Sequence, residues 1–243
     1  MHRLFYIESD EVIEIIISVV AISVALGLVF ATLDGMFKYP VEFIVFMVPL
    51  MITIGSGFVL HEMAHKMVAI YYGAKAKFKM WTQGIIFMLI MSIAGLLFAA
   101  PGAVYIFSKR ITVKENGLIS LAGPALNMVL FFFFLGLANL APVEQYFSFL
   151  LHWGSRAAGL GVSTGTFNVW QFGAAINLLL ALFNTIPAFP LDGSKIFRWN
   201  RLIWLGVTGI VVYLGAVFIS FDLVISWVIM LIVVSIFSKL AFG

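Results

Sequence analysis

The chain has 243 residues, of which 63% are hydrophobic and only 10% charged, and its formal charge is +3. So few polar side chains cannot cover a soluble globule, and the composition predicts a polytopic membrane protein. The absence of cysteine excludes disulfides and thiolate metal sites. The basic residues lie beside apolar spans, which indicates topology signals and not a nucleic-acid surface.

Six apolar segments are predicted to cross the membrane as helices. A helix rises about 1.5 Å per residue, so about 20 residues cross a hydrocarbon core of about 30 Å. The predicted spans are 12–33, 41–72, 117–140, 171–186, 202–220 and 223–240. The predicted fold class is therefore an all-α polytopic membrane protein, with residues 1–243 forming a single integral membrane domain.

The segment between the second and third spans is predicted to differ from the rest. Lysines alternate in AKAKFKMW, 74–81, and this period of two favours a short extended strand. The apolar stretch 84–107 is long enough to cross, yet basic residues flank it on both sides, and positive loops prefer the cytoplasm. We therefore predict a re-entrant or membrane-surface hairpin, broken near Gly95 and Pro101, with a second strand-like piece at 102–113.

Charge also orients the spans. Basic residues follow the second span, precede the third and follow the fourth. These ends and both chain termini are therefore predicted in the cytoplasm. His61, Asn127 and Asp192, which are far apart in sequence, then fall on the cytoplasmic side of the membrane.

The second span carries the sequence HEMAH, in which His61 and His65 are four residues apart. Residues i and i+4 share one face of a helix, so both imidazoles can bind one tetrahedral ion. Glu62 lies roughly 100° around the helix from His61, which suits a general base acting on a water at the metal better than a third ligand. This is the H-E-x-x-H pattern of zinc proteases. The alternative is a hydrogen-bonded cluster that joins helices, although polar groups in an apolar helix favour a liganded site.

A third protein ligand must be a histidine or a carboxylate, because the chain has no cysteine. Asp192 is the best candidate, since prolines at 187 and 190 and a following glycine unwind the helix and present its carboxylate from an extended segment. A turn or helix-cap role for Asp192 is the alternative. The other candidates are predicted on the outer side or in the loop before the third span: His152, Glu144, Asp222 and Glu115.

The motifs resemble those of the site-2 protease family of intramembrane zinc metalloproteases, in a short form without PDZ or CBS domains. HEMAH matches the family's H-E-x-x-H, and FNTIPAFPLDG closely matches its N-x-x-P-x-x-P-L-D-G segment. GPALN, 123–127, is similar to its G-P-x-x-N element. The resemblance covers a catalytic core of about 43–195. Ser194 departs from it, because many members have a second glycine there.

The resemblance implies an enzyme that cleaves transmembrane protein substrates within the bilayer, in regulated intramembrane proteolysis. It implies one zinc ion per chain, held by His61, His65 and Asp192, with Glu62 as the catalytic base. It further implies that Asn127 is a catalytic residue near the substrate or the transition-state oxyanion.

Two other functions remain open from the sequence. A divalent-metal transporter would also place histidines and carboxylates in membrane helices. A conduction path needs ionisable groups through the membrane depth, and the spans hold almost none outside the cytoplasmic cluster. A catalytically inactive scaffold that binds membrane segments is the other alternative, and the presence of Glu62 and all three implied ligands argues against it.

Overall fold

The computed structural model describes residues 6–96, 101–108, 110–151, 159–222, 225, 227–229 and 232. The fold is mostly helical. Its helices are α1 Ser9–Lys38, α2 Pro40–Leu50, α3 Ser56–Tyr71, α4 Thr82–Ile93, α5 Val113–Leu140, α6 Val169–Asn184, α7 Asp192–Trp199 and α8 Arg201–Phe218. Its strands are β1 Lys75–Met80, β2 Gly102–Phe107, β3 Glu144–Tyr146 and β4 Thr166–Asn168. A π-helical turn, Met51–Gly55, joins α2 to α3 in one continuous rod.

Four helical segments are long and apolar enough to cross a membrane: α1, the 32-residue rod of α2 and α3, α5 and α8. They correspond to the predicted first, second, third and fifth spans. The predicted fourth span is α6, which has only 16 residues and is shorter than a full crossing takes. The predicted sixth span, 223–240, lies largely outside the described residues. Length and composition thus indicate an integral membrane protein with four candidate spans.

The chain between α3 and α5 forms a helix and a two-stranded sheet. α4 has 12 residues and ends just before Gly95, whose φ of +78° suits glycine. β1 and β2 pair antiparallel, from Lys75 opposite Phe107 to Met80 opposite Gly102. The strand predicted from the alternating lysines is confirmed. The second strand is shorter than predicted and ends at Phe107, because the chain then turns into the cap of α5.

Carboxylates of α1 bind the outer edge of this sheet. The backbone N–H of Phe78 donates to Glu11 and that of Met80 donates to Glu14, each over 2.8 Å. Glu11 also forms a buried ion pair with Lys66, whose Nζ lies 2.7 and 2.8 Å from its two oxygens. Since Lys66 follows directly after the HEMAH sequence, α1, α3 and β1 are joined at one end of the metal motif.

α6 lies at the centre of the helix packing. One apolar cluster joins it to α1 and α2 around Phe46 and Phe172, both almost fully buried. A second cluster joins it to α5 and α8 around Leu178 and Phe131. β3 and β4, which the sequence does not predict, form a second two-stranded sheet, and β4 ends immediately before α6. α6 therefore packs between α1 and α2 in one cluster and α5 and α8 in the other.

Candidate metal centre

Two helices bring the three predicted ligands together. His61 and His65 lie one turn apart on the buried face of α3, and Asp192 is the first residue of α7. The chain leaves α6 at Asn184 and does not form a helix again until Asp192, because the intervening prolines interrupt helical hydrogen bonding. This non-helical turn places the Asp192 carboxylate against the two imidazoles.

The three ligand atoms lie close enough to hold one ion. Oδ2 of Asp192 lies 2.9 Å from Nε2 of His65 and 3.3 Å from Nε2 of His61, and the two Nε2 atoms are 3.0 Å apart. Tetrahedral zinc with bonds of about 2.0–2.1 Å separates its ligand atoms by about 3.3–3.4 Å. Shifts of a few tenths of an ångström therefore accommodate the ion. In the part of the chain that the structure describes, this is the one such group of three.

Each imidazole is also held at its other nitrogen. Nδ1 of His65 lies 2.7 Å from the carbonyl oxygen of Ile119, and Nδ1 of His61 lies 2.5 Å from Oδ1 of Asn127. An oxygen of this kind only accepts, so Nδ1 carries the proton in both rings and Nε2 presents its lone pair. Both rings are therefore in the tautomer that binds a metal through Nε2.

Gly123 of α5 leaves room between the ligand atoms. A Cβ added at this position would lie 2.5 Å from Nε2 of His65 and 2.6 Å from Nε2 of His61. A side chain here would occupy the space that an ion needs. Two neutral imidazoles and one carboxylate, without thiolates, are a common ligand set for catalytic zinc, so the residues present fit that ion.

Asp192 has a second polar neighbour, Lys195, whose Nζ lies 3.3 Å from Oδ1. The ammonium group of Lys195 beside it favours the ionised form of the carboxyl. The carboxyl is therefore ionised, which is the form that binds a metal. From the sequence, Lys195 is assigned only a topological role. Its i, i+3 spacing from Asp192 on a short helix is the signal that could have identified this contact.

Glu62 lines a cavity of about 320 Å³ together with the three ligands. Its Oε2 accepts a hydrogen bond of 2.8 Å from the backbone N–H of Val104 in β2. β2 contributes a wall of the same cavity, from Gly102 to Ile106. The glutamate thus lies beside the candidate metal position without being one of the three clustered ligands.

Asn127 lies behind His61, at the ring nitrogen that points away from Asp192. It is fully buried, and its Nδ2 lies 3.2 Å from the carbonyl oxygen of Gly57 and 2.9 Å from Oδ1 of Asn177. From the sequence it is expected near the oxyanion. In the structure its amide contacts the predicted ligand His61, and its N–H groups donate to Gly57 and Asn177. Asn177 is not singled out by the sequence, because one asparagine in an apolar helix carries no local signal of its partner.

The remaining predicted candidates lie elsewhere. Glu115 belongs to the N-terminal cap of α5, where its carboxylate accepts from Thr112. Glu144 is exposed on β3, and Asp222 is exposed beyond α8. His152 lies outside the described residues.

Residues 49–221 match the family described as Peptidase family M50, which is the site-2 protease family. The match covers more than half of the chain. The chain therefore belongs to this family of zinc-dependent metalloproteases, and the resemblance seen in its motifs is confirmed.

Two curated relatives are similar over most of the chain. It is 37% identical, over 203 residues, to "Putative zinc metalloprotease MJ0611" of Methanocaldococcus jannaschii, covering 83% of this chain and 90% of that protein. It is 29% identical, over 177 residues, to "Putative zinc metalloprotease YwhC" of Bacillus subtilis, covering 68% and 74% respectively. No solved structure gives a significant match.

Proposed function

We propose that this zinc metalloprotease hydrolyses peptide bonds within or near the transmembrane segments of membrane proteins. The observation that carries the proposal is the location of the site. His61 and His65 lie on the buried face of a 32-residue apolar rod that is long enough to span a membrane. A centre on such a helix is suited to substrates that are themselves in the bilayer.

His61, His65 and Asp192 are proposed as the zinc ligands and Glu62 as the general base. Bound zinc supplies a Lewis acid that polarises a peptide carbonyl and lowers the pKa of a coordinated water toward about 7. The N–H of Val104 holds one oxygen of Glu62, which orients the carboxylate toward the cavity. Glu62 then takes a proton from the attacking water and delivers it to the leaving amine.

The edge of β2 is proposed to bind the substrate chain in an extended conformation. Val104 pairs with Phe78, yet its N–H donates to Glu62, so its peptide groups point away from β1. The peptide groups of Gly102 and Ile106 also point away from β1, because every second residue of an antiparallel strand has this orientation. A peptide added to this edge would therefore lie beside Glu62.

Edge addition requires the substrate helix to unwind near the cleaved bond, because a helix ties up its own carbonyl and N–H groups. We therefore expect better cleavage of membrane segments that contain glycine or proline. Replacing these residues with leucine in a cleaved segment should slow its hydrolysis. Equal rates for the two substrates would contradict strand binding.

The membrane arrangement is proposed as a single domain, residues 1–243, with a catalytic core at about 43–195. The segment between α3 and α5 is proposed to re-enter the membrane or to lie at its surface, and the site and both termini to face the cytoplasm. The chain has no cysteine, so single cysteines introduced at the exposed Tyr71 and Leu140 can report topology. An impermeant thiol reagent should label the first from the cytoplasmic side and the second from the opposite side.

The function is tested with purified wild-type protein and Glu62→Gln, each assayed for bound zinc and for cleavage of a panel of single-pass membrane segments. We expect both to hold zinc and only the wild type to cleave. Glu144→Gln is the matched control, because Glu144 is exposed on β3, and it should cleave like the wild type. If none of the three cleaves although all hold zinc, the protease proposal fails. Metal flux into liposomes would then separate a transporter from an inactive scaffold.

A further inference from the structure

We propose that Asn177 of α6 is a positioning residue for the metal centre, and that it acts on His61 through Asn127. The inference rests on the proposed zinc site and extends it to a helix that carries none of the three ligands. Asn177 and Asn127 are both fully buried. Their amides form a continuous chain of hydrogen bonds from the backbone of α6 to the imidazole of His61.

Backbone carbonyls fix the direction of every hydrogen bond in this chain. Nδ2 of Asn177 lies 2.8 Å from the carbonyl oxygen of Gly173, which can only accept, so the other end of that amide is Oδ1. This Oδ1 accepts from Nδ2 of Asn127. A second N–H of Asn127 donates to the carbonyl oxygen of Gly57. The end of Asn127 that faces His61 must therefore be its oxygen.

The direction of these hydrogen bonds determines which ring nitrogen of His61 carries the proton. With an oxygen facing it, Nδ1 of His61 carries the proton, and Nε2 keeps the lone pair that points toward Asp192. Asn177 thus helps to define both the tautomer of His61 and the angle of its ring. His65 needs no such relay, because its Nδ1 contacts a main-chain carbonyl directly.

The packing leaves space for this arrangement. An added Cβ at Gly57 would lie only 2.6 Å from Oδ1 of Asn177, so the absence of a side chain there lets α6 bring the amide close to α3. Loss of the Asn177 amide would leave a buried N–H of Asn127 without its acceptor. The carbonyl of Gly57 would then be the remaining acceptor for the Asn127 amide, so this amide and the His61 ring bonded to it would be held less firmly.

The experiment measures zinc affinity in the full-length protein by competition with a chromophoric chelator. Asn177→Leu keeps the approximate shape of the side chain and removes its polar atoms. We expect zinc to bind about 10–100-fold more weakly, the usual effect of losing an outer partner of a metal-ligating histidine. The visible spectrum of the cobalt-substituted protein should also change, because His61 can no longer be held in one orientation.

A second variant, Asn177→Ser, tests the same contact in case Asn177→Leu does not fold. A serine hydroxyl can bond back to the carbonyl of Gly173 within α6, yet it is too short to replace the contact with Asn127. It should weaken zinc binding and alter the cobalt spectrum in the same way.

Thr53→Val is the matched control. Thr53 is fully buried in the same rod as His61, and its hydroxyl donates to backbone carbonyls of that rod, at Pro49 and Leu50. This variant should lower the melting temperature of the protein and leave zinc affinity and the cobalt spectrum unchanged.

If both Asn177 variants bind zinc as tightly as the wild type, with the same cobalt spectrum, Asn177 serves helix packing alone and the inference is overturned. If the wild type itself binds no zinc, the proposed metal centre fails first. The two failures are therefore distinguishable.

Discussion

Gly123→Ala should block the metal centre without removing any ligand. The added Cβ would lie 2.5 and 2.6 Å from the two Nε2 atoms, whereas ordinary contact begins at 3.4 Å. A methyl group can therefore fit only if the imidazoles retreat by about 0.8–0.9 Å. Metal–ligand distances tolerate deviations of about 0.2 Å, so a retreat of this size breaks the coordination.

The magnitude follows from this displacement. Losing an outer partner of a ligand lowers metal affinity by about 10–100-fold. Displacing two ligands and filling the space of the ion should exceed that range. We expect the zinc affinity of Gly123→Ala to fall by more than about 100-fold, which is more than about 2.8 kcal/mol of binding free energy.

Gly136→Ala is the matched control on the same helix, because a Cβ added at Gly136 meets nothing within 4 Å. Alanine in a helix is favoured over glycine by about 0.5–1 kcal/mol, so this variant should be at least as stable as the wild type and should bind zinc normally. Zinc content after equilibrium dialysis and the melting temperature of the metal-free protein measure both effects. A folded Gly123→Ala protein that retained one zinc with wild-type affinity would refute the assignment of the ligands.

Three further predictions concern stability. Lys66→Met should lower the free energy of unfolding by about 3 kcal/mol. Glu11→Leu should lower it by more, because Glu11 also accepts hydrogen bonds from two backbone amides. Equal shifts in the melting temperatures of the two variants would contradict this. The hydrogen-bonded ion pair with Asp10 raises the pKa of Lys77 above 10.5. This ion pair therefore stabilises the fold fully below pH 10.5, and the stabilisation is lost as pH rises further. In alkaline buffers, the melting temperature of Lys77→Met should therefore fall less steeply with pH than that of the wild type. Chelation of zinc should lower the melting temperature of the wild type and leave that of Gly123→Ala unchanged.

The chemistry of the ligands is largely predictable from the sequence, because it depends on local rules. The four-residue spacing of His61 and His65 places them on one helix face whatever the rest of the fold does. The prolines before Asp192 interrupt the helix wherever it packs. Alternation of lysines predicts β1 for the same reason, since a strand has a period of two.

Contacts between distant helices are not predictable in this way. Asn177 lies 50 residues from Asn127 along the chain, and an isolated asparagine in an apolar helix is equally compatible with several partners. α6 also contributes buried residues to both apolar clusters, whose other members come from several helices and strands along the chain. With 16 residues, α6 leaves the predicted fourth crossing unconfirmed.

The two glutamates at the edges of the first sheet show how one side-chain type serves two purposes. Glu11 accepts a backbone N–H of β1 and also pairs with the Lys66 ammonium, so its charge is fixed by a permanent counterion. Glu62 accepts a backbone N–H of β2, and among the described ion pairs it has no lysine or arginine partner. The backbone amide of Val104 keeps this carboxylate oriented beside the cavity. One edge of the sheet is therefore anchored by a buried ion pair, and the other holds Glu62, the proposed general base.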